Sequence, residues 1–248
     1  MSGAGTARVV SGAGTARTGR AVVTGAGRGL GAALVHQLSD RGFEVVGTFR
    51  GDAPADIADR CVRMVRLDLA DRSSIDAAVS ELVGEGAPID LLVNNAGLDG
   101  RSVGGGEDDR GPLEIDPDVF MRQIEVNTLG PLLFTRGLVD LLRAASAPKV
   151  VNVSSQLGHH EVVLRAGRDV GYNASKAALT TLTGSLARVL PGVTCIAVHP
   201  GWVQTDMGGP TATLTVDESA TMLADTMLAL TPDQTGAFLD VDGSPFTP

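Results

Sequence analysis

The sequence predicts one α/β domain, built on a doubly wound parallel sheet that helices cover on both faces. Three observations predict this fold class. Apolar runs of strand type alternate with helical patterns, a glycine-rich turn separates the first strand from the first helix, and 248 residues suit a single domain with a substantial core.

Seven strands are predicted, followed in most cases by helices. The strand-like runs are 21–24, 44–49, 62–67, 89–94, 149–154, 193–199 and 237–241. The helical patterns are about 30–41, 72–84, 117–144, 171–189 and 216–229. Continuous apolar runs between helices are typical of strands buried on both faces.

Two segments interrupt this alternation. A polar loop, 99–116, contains Gly104–Gly106 and Glu107–Asp109, and a connection, 156–171, precedes the fourth long helical pattern. Both follow the carboxyl end of a strand, where ligands bind in open α/β sheets. They are either substrate-selecting loops or merely flexible ones.

Bulk properties exclude several classes of partner. The formal net charge is −9 and there is no basic cluster, so we expect neither nucleic-acid nor anionic-membrane binding. No apolar run reaches the roughly 18 residues of a membrane span, and we expect a soluble, cytoplasmic protein. Cys61 and Cys195 lack metal or redox spacing, and His159–His160 has no third ligand, so no metal site is expected.

Residues 1–19 differ in composition from the rest, which forms the domain at 20–248. Ser2–Arg8 is repeated identically as Ser11–Arg17, with small residues and no acid. This composition predicts a disordered tail. A transit peptide and a start assigned too early are the alternatives.

The glycine-rich turn, Thr24–Gly31, follows the apolar run Ala21–Val23. Glycines let the backbone approach a pyrophosphate, and the free N–H groups and positive dipole end of the next helix attract the anion. The segment predicts a dinucleotide site, with an ordinary strand–helix turn as the alternative.

Tyr172 and Lys176 are four residues apart in a helical pattern, which places them on one face. A phenol has a pKa of about 10, and a nearby cation makes it a better proton donor by stabilising the phenolate. A solvated surface pair is the alternative. Ser154 and Ser155 end a predicted strand, and alternation allows only one of them to face a site there.

These motifs resemble the short-chain dehydrogenase/reductase family from Arg20 to the C-terminus. The matching segments are Thr24–Gly31, Asp68, Asn94–Gly97, Asn127, Ser155, Tyr172–Lys176 and Pro200–Thr205. His199–Pro210, Leu214–Ser219 and Phe238–Gly243 are most similar to the C-factor-like and sniffer-like carbonyl reductases. The resemblance implies a single-domain Rossmann fold with strand order 3-2-1-4-5-6-7, and a homodimer or homotetramer.

The resemblance also implies a reaction, hydride transfer between a nicotinamide and the carbonyl carbon of a small-molecule ketone or aldehyde. Tyr172 would donate the proton and Ser155 would hold the substrate oxygen. Lys176 would lower the tyrosine pKa and bind the nicotinamide ribose, and Asn127 would bend its helix and hold a water on the proton path. Ser155 and Tyr172 are 17 positions apart, which is longer than usual in the family.

The cofactor residues follow from the motif and from the end of the second strand. Arg50 stands where an NAD site usually has an acid, and with Arg28 it would pair with a 2′-phosphate, so NADP(H) is favoured over NAD(H). The alternative is that both are surface cations and that Asp52 supplies the acid. Asp68 would contact the adenine or cap the following turn. The full predicted set is Gly25, Gly27, Arg28, Gly29, Leu30, Gly31, Arg50, Asp68, Leu69, Asn94, Ala96, Gly97, Tyr172, Lys176, Pro200, Gly201, Val203 and Thr205.

Three functions remain open from the sequence. The first is an NADPH-dependent carbonyl reductase. The second is a nucleotide-binding regulatory or signalling protein on the same fold, and the third is a non-redox biosynthetic enzyme such as an epimerase or cyclase.

Overall fold

The computed structural model describes residues 18–51, 55–106, 111–166 and 169–248. The expectations about Asp52 and Glu107–Asp109, and about residues 1–17 of the predicted tail at 1–19, therefore lie outside the described residues. Within the described residues no helix is both long and apolar enough to cross a bilayer.

The described chain forms a seven-stranded sheet in which every neighbouring pair is parallel. Its order, β3-β2-β1-β4-β5-β6-β7, confirms the prediction. The strands are β1 Gly19–Val23, β2 Phe43–Phe49, β3 Arg63–Arg66, β4 Leu91–Asn94, β5 Lys149–Val153, β6 Thr194–Val198 and β7 Phe238–Leu239.

Helices cover both faces of the sheet. They are α1 Gly29–Asp40, α2 Ala55–Ala58, α3 Arg72–Glu85, α4 Pro117–Ile124, α5 Gly130–Gly137, α6 Val139–Arg143, α7 His160–Ala166, α8 Val170–Val189 and α9 Val216–Ala229. Each face of the sheet has its own hydrophobic core, and the side chains of β1 point alternately into the two. Ala21 and Val23 face α1 and α9, whereas Val22 faces α3, α5 and α8. This alternation explains why the strands read as continuous apolar runs.

Local sequence signals fix the ends of several helices. The Asp71 carboxylate accepts a hydrogen bond from Ser73 N at the start of α3, which ends at Gly86 in the left-handed region. Thr215 and Glu218 form a reciprocal capping box at the start of α9. These caps satisfy backbone groups that a helix end otherwise leaves unpaired.

The prediction of one helix over 117–144 was wrong in its interior. A π-helical turn, Glu125–Leu129, separates α4 from α5, and a break at Leu138 separates α5 from α6. The π turn surrounds Asn127, whose side chain bonds outside the helix, and such turns are often found at functional sites.

The two predicted loops contain short helices. Residues 100–103 form a 3₁₀ turn after β4, and the connection after β5 contains a 3₁₀ turn, Gln156–Gly158, followed by α7. Neither the short α7 nor the four-residue α2 gives a long amphipathic pattern, so periodicity did not predict them.

Candidate active site

The candidate site lies at the carboxyl ends of β1, β4, β5 and β6, where the predicted motifs converge. The Thr24 hydroxyl joins the first two of these strands, because it accepts hydrogen bonds from the backbone N–H groups of Asn95 and Ala96, both 3.0 Å long. The Asn95 side chain donates in return to the Thr24 carbonyl at 2.9 Å. Asn95 was not among the predicted site residues, although it lies inside the Asn94–Gly97 motif.

The glycine turn packs too closely for side chains at two positions. A Cβ at Gly31 would lie 2.1 Å from the Gly25 carbonyl oxygen, and one at Gly25 would lie 2.9 Å from Ala96 Cα. Gly25 also has a φ of 68°, which side chains disfavour. The turn therefore holds α1 close to the sheet. Its backbone remains accessible from the groove between the glycine turn and the segment that follows β6.

The N-terminus of α1 can bind an anion. Arg28 precedes the helix in an extended conformation and makes no side-chain cap, and the first turn contains no acid. Its first N–H groups and dipole thus favour a phosphate. Gly27 and Gly29 lie in the same turn, and Leu30 packs against the core beneath it. The backbone therefore fits the pyrophosphate of a dinucleotide.

Two charged residues, Arg50 and Asp68, were predicted to contact the adenosine end of a dinucleotide. Arg50 follows β2 and is exposed. Asp68 follows β3, and its carboxylate accepts from Ala70 N at 2.9 Å, so it does cap the next turn. Its other oxygen lies 3.9 Å from the Arg122 guanidinium. The next residue, Leu69, is buried. Its carbonyl oxygen leaves no room for a side chain at Gly130, because a Cβ there would lie 2.4 Å from that oxygen.

The Asn94 side chain bonds within the protein, and its predicted cofactor contact stays a prediction. Its buried amide donates to Thr135 Oγ1 at 3.0 Å and to Asn152 Oδ1 at 2.8 Å. The side chain therefore connects β4 to β5 and α5. Gly97, three residues later, is the position that faces the site, since a Cβ there would lie 3.3 Å from both Lys176 Nζ and Asn127 Oδ1.

Tyr172 lies in the first turn of α8, which begins at a capped N-terminus. The Asp169 carboxylate accepts from Tyr172 N at 3.0 Å and from Gly100 N at 3.1 Å, so it joins the helix to the loop after β4. Asp169 was overlooked, although an Asp three residues before Tyr172 is a recognisable capping signal.

Burial raises the pKa of Tyr172 to about 12. A hydrogen bond with the Ser155 side chain acts in the opposite direction, and the charges of Asp99 and Asp169 raise the pKa further. We expected Lys176 to lower this pKa, but its ammonium lies 5.6 Å from the ring centroid and bonds elsewhere. Desolvation is therefore the main cause of the raised Tyr172 pKa.

Lys176 is buried beneath Tyr172, with 3 % of its surface exposed. Its Nζ donates to the Val153 carbonyl at 2.8 Å. Burial lowers the pKa of Lys176 to about 8, because an ammonium is poorly solvated there.

Asn127 is fully buried in the π turn and makes three side-chain hydrogen bonds. Its Oδ1 accepts from Leu98 N at 2.8 Å, and its Nδ2 donates to Leu98 O at 2.8 Å and to Ser175 Oγ at 2.9 Å. Ser175 Oγ donates to the Tyr172 carbonyl at 2.7 Å. Asn127 therefore joins the end of β4 to the helix that carries Tyr172 and Lys176.

The two serines after β5 have different neighbours. Ser154 Oγ donates to the Lys176 carbonyl at 3.1 Å and lies 2.7 Å from Thr180 Oγ1, so it packs against α8. The Ser155 side chain instead acts on the Tyr172 phenol, whose pKa it lowers, and its Oγ accepts from Leu157 N at 3.1 Å. Ser155 is therefore the serine whose side chain acts on Tyr172, and its role in a site stays a prediction.

The segment after β6 forms the opposite side of the groove. Gly201 has a φ of 79°, and Ser219 Oγ donates to the Pro200 carbonyl at 2.7 Å. Val203 is buried. The Thr205 methyl lies 3.7 Å from the position of a Cβ on Gly29, so this segment contacts the glycine turn.

Asp99, in the loop after β4, is a charged residue that was not predicted as part of the site. Asp99 accepts from Arg101 Nε at 2.8 Å and from Ser102 Oγ at 2.6 Å. Burial opposes the ionisation of Asp99, but these bonds outweigh it and the pKa of Asp99 is lowered. Arg101 also donates to the Met207 carbonyl at 2.9 Å, which joins the loops after β4 and β6.

The pKa of Lys176 predicts a pH-dependent stability. The folded protein loses this proton at a pH of about 8, whereas the unfolded chain keeps it to 10.5. Between these values the unfolded state binds more protons, so stability rises with pH, by at most about 1.4 kcal/mol per pH unit. We expect the unfolding free energy of wild type minus that of Lys176→Met, from urea unfolding, to rise from pH 8 to 10. A flat difference would contradict the shifted pKa.

Ser175 should contribute more to stability than a surface serine of the same helix. Ser175→Ala leaves an Asn127 N–H buried without an acceptor, which costs about 1–3 kcal/mol. The matched control is Ser185→Ala, because Ser185 is exposed and bonds only to Thr181 O within α8. We expect a change within about 0.5 kcal/mol for the control. Equal midpoints in urea would show that the Asn127 contact is unimportant.

Comparison with known proteins identifies the family. The sequence model described as short chain dehydrogenase matches residues 20–213. Among curated proteins, C-signal of Myxococcus xanthus is 36 % identical over 162 residues, which cover 63 % of this chain and 91 % of that protein.

Solved structures agree with this match. NADPH-bound carbonyl reductase from chicken fatty liver has a TM-score of 0.83 at 28 % identity, covering 94 % of this chain and 100 % of its own. Carbonyl reductase Sniffer of D. melanogaster has a TM-score of 0.82 at 26 % identity, with the same coverages. An NAD complex of 3-oxoacyl-[acyl-carrier protein] reductase from Brucella melitensis has a TM-score of 0.77 at 26 % identity, covering 92 % and 97 %. The chain therefore belongs to the short-chain dehydrogenase/reductase family, with carbonyl reductases among its structural relatives.

Proposed function

We propose that this oxidoreductase is an NADPH-dependent reductase of a small ketone or aldehyde, with Tyr172 as the proton donor. The observation that carries the proposal is the convergence of Tyr172, Ser155 and Lys176 beside the groove of the glycine turn. A bound nicotinamide dinucleotide would supply the hydride.

The chain's own residues would handle the proton. Negative charge develops on the carbonyl oxygen during reduction, and the phenol of Tyr172 gives its proton to that oxygen as a general acid. The raised pKa keeps Tyr172 protonated at neutral pH, so the donor is present before the reaction. Ser155, whose side chain acts on the same phenol, would orient the oxygen, and Lys176 would supply positive charge beside the new phenolate.

The fit to a dinucleotide rests on backbone geometry. The glycine turn leaves no room for side chains at Gly25 and Gly31. The first turn of α1 has N–H groups available to a pyrophosphate. Gly97 leaves the approach to Lys176 Nζ clear of a side chain, which suits contact between that ammonium and a ribose.

The preference for NADP(H) rests on Arg50 and Arg28. Both are exposed beside the predicted adenosine end, and a guanidinium suits a 2′-phosphate. Solved relatives bind either cofactor, since the chicken reductase holds NADPH and the Brucella reductase holds NAD. The arginines therefore carry this part of the proposal.

A regulatory or signalling role is the second candidate, and the similarity to C-signal favours it. Such a role would need the nucleotide site but not the proton donor. A biological activity that persisted without the Tyr172 hydroxyl would therefore support this candidate over catalysis.

Tyr172→Phe should reduce turnover by at least about 10²-fold, because general-acid catalysis typically contributes that factor or more. Turnover is followed as NADPH absorbance with a panel of ketones and aldehydes, and NADP⁺ binding is measured separately and should persist. Tyr172 is the only tyrosine in the sequence, so no other phenol can account for residual activity. Ser185→Ala is the control and should retain wild-type turnover. Turnover of substrate without a change in NADPH absorbance would indicate non-redox chemistry instead.

Arg50→Gln should weaken NADP⁺ binding about tenfold or more and leave NAD⁺ binding nearly unchanged, since hydrogen bonds to charged groups contribute about 1.5–3 kcal/mol. Fluorescence titration of both dinucleotides measures this selectivity. Arg143→Gln is the control, because Arg143 is exposed at the end of α6, just before β5 and therefore at the amino ends of the strands. An equal loss for both dinucleotides would rule out a contact between Arg50 and the 2′-phosphate.

A further inference from the structure

An ion pair crosses the groove between the glycine turn and the segment after β6. The Arg28 guanidinium bonds to the Asp206 carboxylate, although the two residues are 178 positions apart in the sequence. Both side chains are largely exposed, at 76 % and 84 %. The groove that would receive the dinucleotide is therefore bridged by opposite charges.

The bridge is supported by neighbouring contacts. Thr205, next to Asp206, lies against Gly29, next to Arg28. On the other side, Arg101 donates to the Met207 carbonyl. Two arginines from different loops thus hold consecutive residues, Asp206 and Met207, so the carboxylate lies beside Arg28 because the backbone brings it there.

The electrostatics give this carboxylate a specific role. The Asp206 carboxylate is bonded to the residue that immediately precedes α1, whose first turn lacks an acid and favours an anion. A phosphate of the dinucleotide would be attracted by the same guanidinium. Asp206 and the cofactor would then compete for one cation.

We propose that Asp206 is a specificity-determining residue, an internal counter-ion that competes with the 2′-phosphate of NADP(H) for Arg28. The proposal rests on the proposed function, because it requires a dinucleotide in this groove. Binding NADP(H) must break the ion pair, whereas NAD(H) has no 2′-phosphate to take the place of the carboxylate. Asp206 therefore lowers the affinity for NADP(H) more than that for NAD(H).

The expected effect is moderate and depends on salt. Exposed ion pairs contribute little and are screened by electrolyte. Removing the carboxylate should therefore raise NADP⁺ affinity by about two- to fivefold at low ionic strength. At about 0.5 M salt the gain should largely disappear, because the Debye length is then only a few ångströms.

The test measures dissociation constants of NADP⁺ and NAD⁺ for wild type, Asp206→Asn, Arg28→Gln and the double variant, at low and high salt. We expect Asp206→Asn to tighten NADP⁺ binding more than NAD⁺ binding, and to have no effect in the Arg28→Gln background. Asp140→Asn is the control for the change of one charge, since Asp140 is exposed on α6, away from the groove.

The remaining outcomes overturn the inference. They are an unchanged NADP⁺ affinity, an equal gain for both dinucleotides, and a gain that persists without Arg28. A wild-type protein that binds neither dinucleotide would overturn the proposed function as well. Tight NADP⁺ binding by wild type that is unaffected by Asp206→Asn would overturn only the role of Asp206.

Discussion

The attachment of α8 to the end of β5 determines where the phenol of Tyr172 and the ammonium of Lys176 lie. The Val153 carbonyl accepts from Lys176 Nζ, and the next residue, Ser154, bonds to the Lys176 carbonyl. On the opposite side Asn127 holds Ser175. Because the helix is bonded on both sides, the phenol and ammonium are placed by buried contacts rather than by mobile surface groups. Such support from neighbouring residues is what a site needs to keep its geometry.

Burial has a common electrostatic effect on the two titratable groups of this helix. It raises the pKa of Tyr172 and lowers that of Lys176, so in each case it favours the uncharged form. The folded protein consequently stabilises a neutral phenol and weakens the hold on the lysine proton. A negative charge near these groups would favour the ammonium form of Lys176 again. The protonation of Lys176 therefore depends on what is bound in the groove.

Charged and polar contacts connect the loops that surround this helix. Asp169 joins the start of α8 to Gly100, and Arg101 joins the same loop to Met207. These contacts connect segments that follow three different strands. Loops placed on a rigid scaffold often carry binding residues, and here they are bonded to the helix that carries Tyr172.

The sequence by itself determined the fold class, the seven strands, the glycine turn and the Tyr172–Lys176 pair. These features depend on local periodicity and on the steric freedom of glycine, which a sequence records directly. The tertiary structure decided the π turn at Asn127, the inward direction of the Asn94 side chain and the raised pKa of Tyr172. Each depends on burial and on partners distant in the sequence, so no local pattern contains it. The same holds for the Arg28–Asp206 pair, which exists only because folding brings two loops together.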